Sequence, residues 1–132
     1  MSRLLGAAGF NQIEVVRELL AEGIDVNIKN TYGYTALHEA SINGHPEMVK
    51  FLIANGADIT ITNNDGNTPL HFAARYGQID AAKELLDNGA DIDARNNFGR
   101  TPKLLAISYD DHEVVALLEE YMMVDIKEPE FD

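Results

Sequence analysis

The sequence predicts an all-α repeat solenoid of about four stacked helix-turn-helix units joined by β-hairpin-like turns, and three observations predict it. Residue types recur at a spacing of 33: Gly33, Gly66 and Gly99; Thr35, Thr68 and Thr101; Leu19, Leu52, Leu85 and Leu118. Self-similarity at a period of 20 to 50 residues marks a repeat array, in which no unit can bury its apolar face alone. Within each period, two short amphipathic stretches sit between helix-starting and helix-ending residues. The outer copies depart from the inner ones, as terminal units with one neighbour do.

The most regular copy is Asn63 to Arg95, and the flanking segments are edited versions of it. The first unit, about 1–29, has Ser2 in the threonine position and no preceding turn, which suits an N-terminal cap. Asn11 stands in its inter-helix loop, where asparagine tolerates left-handed backbone. Its second helix, IEVVRELLAEG, places Ile13, Val16, Leu19 and Leu20 on one face. The second unit, 30–62, starts with the turn TYGYT, caps its first helix with Thr35 and opens its second with Pro46. The third, 63–95, repeats this with Thr68 and Pro69.

The fourth unit, 96–125, drifts. Lys103 replaces the leucine of Leu4, Leu37 and Leu70, Leu104 replaces a histidine, and Asp110 replaces a loop glycine. It reads as a C-terminal cap in which Lys103 reaches water. The acidic tail, 126–132, is expected to fray, with Ile126 and Phe131 able to fold back on the last helix.

Composition narrows the functional classes. The 132 residues, 45% hydrophobic, support one domain. Without cysteine there is no disulfide or thiolate metal site. The first ten residues fit the repeat register better than a signal peptide, and no run approaches a membrane span, so the expected location is the cytoplasm, or the nucleus in a eukaryote. A formal charge of −12 and a pI near 4.5 argue against nucleic acid or an anionic membrane as partner. No HExxH, GxSxG, P-loop or dinucleotide-binding pattern occurs, so no catalytic residue, metal or cofactor is expected. His45 and His112 read as lone residues near loops.

TPLHFAA at 68–74, TALHEAS at 35–41, and NGAD at 55–58 and 88–91 resemble the ankyrin repeat, and the resemblance covers about residues 1–125. It implies that His38 and His71 are structural, bonding neighbouring loop backbone. It also implies that Glu14, Glu18, Glu47, Asp80, Glu84, Glu113 and Glu119 are solvated on the convex side. The turn tips and inner faces of the first helices would then form a concave strip. Its candidate partner-binding residues are Tyr32, Tyr34, Asn43, Asn64, Asn67, Arg75, Tyr76, Phe98, Arg100 and Tyr109. In this reading the strip, which also takes in Lys29, Asp65 and Arg95, holds four basic residues (Lys29, Arg75, Arg95 and Arg100) against one carboxylate, Asp65, so the acidic chain has a basic, aromatic groove.

The expected function is a non-catalytic, monomeric protein-binding module that holds a folded partner or an extended acidic segment in that groove. The alternative is a regulatory subunit or inhibitor that covers a partner enzyme's active site.

Overall fold

A computed structural model describes residues 2–126. They form eight helices in four pairs: α1 (Arg3–Gly9) with α2 (Ile13–Ala21), α3 (Ala36–Ile42) with α4 (Pro46–Ala54), α5 (Pro69–Arg75) with α6 (Ile79–Asp87), and α7 (Pro102–Ser108) with α8 (His112–Ile126). Three-residue links fold each pair back on itself. First helices stack α1 on α3 on α5 on α7, and second helices stack α4 on α6 on α8, which makes the chain an all-α solenoid.

Local chemistry sets the helix starts. Ser2 accepts from the Leu5 N–H at 3.4 Å, and Thr35, Thr68 and Thr101 accept from His38, His71 and Leu104 in the same way. Each cap satisfies one of the amides that a helix start leaves free. The first helices bury Leu4, Leu37 and Leu70, and the second helices bury Val16, Val49 and Ala82, in one shared core. The inter-helix loops need left-handed backbone, and Asn11 (φ 59°) and Asp110 (φ 60°) supply it without glycine.

The turns are stitched by an asparagine in each. Asn30 Oδ1 accepts from the Tyr32 and Tyr34 N–H groups, Asn63 from Asp65 and Asn67, and Asn96 from Phe98 and Arg100. Successive tips are tied by Asn64 N–H to Tyr32 C=O at 3.0 Å and Asn97 N–H to Asp65 C=O at 2.9 Å. Single bonds of this kind make no strand among the described residues, so the hairpin character is confined to the turn tips. The tips approach so closely that a Cβ on Gly33, where φ is 85°, would lie 2.9 Å from the Asn64 nitrogen. Only glycine serves there.

The histidines lock one pair to the next. His38 Nδ1 accepts from the Thr35 N–H and its Nε2–H donates to Asn67 C=O at 3.1 Å; His71 repeats this with Thr68 and, at 2.9 Å, Arg100 C=O. Both rings are buried. His45, read as a lone residue, is also a clasp: its Nε2 donates to Gly9 C=O at 2.9 Å. Gln78 holds Ile42 C=O at 2.7 Å from the equivalent position. Asp111 has no proton to donate there and instead accepts from the Val114 N–H. His112 is exposed, 3.4 Å from the Asp110 carboxylate.

The last pair departs from expectation in one way: Lys103 does not simply reach water, because its ammonium pairs with Glu119 of α8 at 3.1 Å. Its outer side is partly apolar. Leu104 and Ile107 are 44% and 51% exposed, whereas their equivalents His38, His71, Ser41 and Ala74 are fully covered by a following pair. α8 continues to Ile126, and the expected fraying of the tail and the fold-back of Phe131 lie outside the described residues.

Burial holds both core imidazoles neutral, with His38 pushed down to about 4 and His71 also lowered. Unfolding in mild acid therefore takes up protons, so this stability is complete above about pH 6.5 and is lost as pH falls toward 4. Between pH 7 and 5, His38 alone is expected to cost about 2 kcal/mol. Urea unfolding at both pH values should show a steeper loss for the natural chain than for a His38→Gln, His71→Gln variant. Equal losses would contradict neutral, buried rings.

Candidate protein-binding groove

The C-terminal ends of the first helices and the turn tips line one side of the stack. Arg75 is the last residue of α5, Tyr76 follows as its C-cap, and Tyr109 holds the same place after α7. The repeat thus places an aromatic ring on either side of Arg75. Its guanidinium carbon lies 4.8 Å from the Tyr76 ring centroid and 4.9 Å from that of Tyr109. Cation–π contacts of this kind contribute about 0.5–1 kcal/mol at exposed sites.

The row continues inward. Phe72 stacks near Tyr76 at 6.5 Å and on Tyr34 at 5.3 Å, and the edge of His38 meets Phe72 at 5.7 Å. Tyr34, Phe72, Tyr76, Arg75 and Tyr109 therefore form one line across three helix pairs. Burial raises the Tyr34 phenol above its ordinary range. Phe72, buried beneath the line, was absent from the sequence-based strip because its period equivalents Gly6, Glu39 and Leu105 share no chemistry with it.

Arg75 is chemically incomplete. Its Nε is enclosed and donates to no described residue, and no described carboxylate forms an ion pair with its guanidinium. Enclosed polar atoms without partners are uncommon and call for an explanation. Arg100 is exposed and likewise makes no ion pair among the described residues. Arg95 differs, since its Nη1 donates to Gly99 C=O at 2.8 Å within its own turn.

The other candidates divide by what their side chains already do. Tyr32 and Phe98 project from the tips, more than two-thirds exposed. Asn64 spends its amide on Thr31 C=O, and Asn67 Oδ1 accepts from Asn96. Asn43 turns back to Glu39 C=O but borders the groove beside that residue.

The strip is not uniformly basic, because Glu39 also faces it. The side chain is half-buried on the inner side of α3, burial raises its carboxyl, and it borders cavities of about 270 and 470 Å³. Negative charge gathers at Glu39 and Asp65 on the second and third repeats, and positive charge at Arg75 and Arg100 farther along.

Among the described residues no group of His, Asp and Glu side chains could hold a metal, and no helix is long and apolar enough to cross a membrane. The packing roles along the row are separable. Phe72→Ala should lower stability by about 3 kcal/mol in urea unfolding, as loss of a buried ring does. Arg75→Ala should cost less than about 1 kcal/mol, since it removes cation–π contacts to two half-exposed rings and no ion pair. Comparable losses would mean that Arg75 is part of the core.

No curated protein matches the chain. A family model described as ankyrin repeats, in three copies, matches residues 4–96. Ankyrin repeats generally bind other proteins and are typically non-catalytic. With that match over most of its length, and with the threonine caps and histidine bonds recurring every 33 residues, the chain belongs to the ankyrin repeat family.

Proposed function

We propose that this chain is a non-catalytic protein-binding module whose concave groove holds an extended segment of a partner, with Arg75, Tyr76 and Tyr109 as the central anchor and Tyr32 and Arg100 beside it. The observation that carries the reading is Arg75, held between two rings with no described carboxylate paired to its guanidinium. A guanidinium held this way keeps little rotational freedom to lose, and its planar fork matches a carboxylate in bidentate geometry. Tyrosine and arginine dominate binding hot spots because they cover large area with few rotatable bonds. A standard interface needs roughly 800 Å² on each partner, within reach of four helix pairs. Nothing in the groove favours the narrower role of covering an enzyme's active site. That role would show itself as a change in the turnover of a captured partner.

Affinity capture from lysate with the natural chain beside an Arg75→Ala, Tyr76→Ala, Tyr109→Ala variant tests the proposal. A partner held by the first and lost by an equally folded second is the expected result, and its retention by both would contradict it. For that partner, Tyr76→Ala alone should weaken binding by about 2 kcal/mol. Affinity should also fall as salt rises from low to physiological strength, because an exposed arginine–carboxylate pair is screened. A complex indifferent to salt would remove Arg75 from the account.

A further inference from the structure

We infer that the groove is bipolar and recognises a segment carrying a lysine or arginine seated at Glu39, about three to five residues from an acidic residue seated at Arg75. The inference rests on the groove-binding proposal and names the partner's chemistry. At the place of Glu39, the other pairs have Gly6, Phe72 and Leu105, so stacking of the solenoid does not require a carboxylate there. Its neighbour α1 leaves room in front of it. Gly6 and Gly9 carry no side chains, a Cβ on Gly6 would meet nothing within 4 Å, and one on Gly9 would stand 3.5 Å from Glu39 Oε1. The result is the cavity of about 270 Å³, bounded by Leu5, Gly6, Gly9, Phe10, Glu39 and Asn43. On its other side the same glutamate opens into the cavity of about 470 Å³ with Tyr32, Tyr34 and Asp65.

Neither Glu39 nor Asp65 forms an ion pair with a described lysine, arginine or histidine. A half-buried carboxylate without a cation costs stability, and burial has already raised its pKa. Open space, a carboxylate and aromatic rings along the walls together fit one ligand chemistry, a cationic side chain: the carboxylate takes its N–H groups and its stem packs along the rings. Glu39 and Arg75 lie on adjacent first helices, α3 and α5. Helix layers are about 8–10 Å apart, and an extended chain advances about 3.4 Å per residue. One layer is then about three residues, and the lean of Arg75 toward Tyr109 adds one or two.

The test is selection of random 12-residue peptides on the full chain. It is followed by fluorescence anisotropy of one labelled winning peptide on the natural chain, Glu39→Gln, Gly6→Leu and Arg75→Gln. Glutamine keeps the shape of Glu39 without its charge, and leucine plugs the cavity from a helical position that tolerates it. Circular dichroism checks that both remain folded. Winning peptides should pair a basic with an acidic residue at the stated spacing. Glu39→Gln and Gly6→Leu should each weaken binding about tenfold, and neither should matter once the peptide's basic residue is alanine. Winners without a basic residue, or with affinity unchanged in both variants, overturn the inference. If such winners still depend on Arg75, the groove proposal survives. Winners insensitive to all three substitutions, or no selection at all, remove both.

Discussion

The bond from a buried imidazole to the backbone of the next turn is the constraint on which the rest of the structure depends. His38 reaches Asn67 and His71 reaches Arg100, each from a ring already fixed by the threonine that starts its own helix. Because the same ring joins a cap, a core and the following tip, it sets the rotation of the second pair relative to the third and of the third relative to the fourth. The tip bonds from Asn64 and Asn97 then fall within reach, as does the stacking of Tyr34 on Phe72. Leu104 cannot make this bond, and no further helix pair follows α7 and α8 among the described residues.

Stability and recognition use different parts of each repeat. Second helices hold the aliphatic ladder and turn their carboxylates to solvent, whereas first helices end in residues that differ from pair to pair: Phe10, Asn43, Tyr76 and Tyr109. Those endings sit on rigid supports, so their differences shape the groove without disturbing the stack. Glu39 and Arg75 are the clearest cases of groups whose chemistry the fold leaves unfinished. Uncompensated charge is expected where a surface is kept for a partner.

Much of this was legible in the sequence, for identifiable reasons. Caps, core leucines and turn glycines recur every 33 residues because each copy meets the same packing demand, and such demands write themselves as periods. Asn30, Asn63 and Asn96 recur just as regularly, yet asparagine suits many turns, and only geometry shows each holding two amides. Glu39 leaves no such trace: its period equivalents are a glycine, a phenylalanine and a leucine, so no recurring residue type marks the position. The rows that matter for binding run across repeats. They join residues such as Arg75 and Tyr109, 34 positions apart, whose meeting depends on the rotation between pairs rather than on either local sequence.

The most direct measurement of the central claim is amide hydrogen exchange on the chain, free and bound to a groove-dependent partner. The account predicts added protection at the end of α5, the end of α7 and the turn tips around residues 31–34 and 64–67, with α4 and α6 unchanged. Protection concentrated on α4 and α6, with the tips unaltered, would contradict it and place recognition on the convex face.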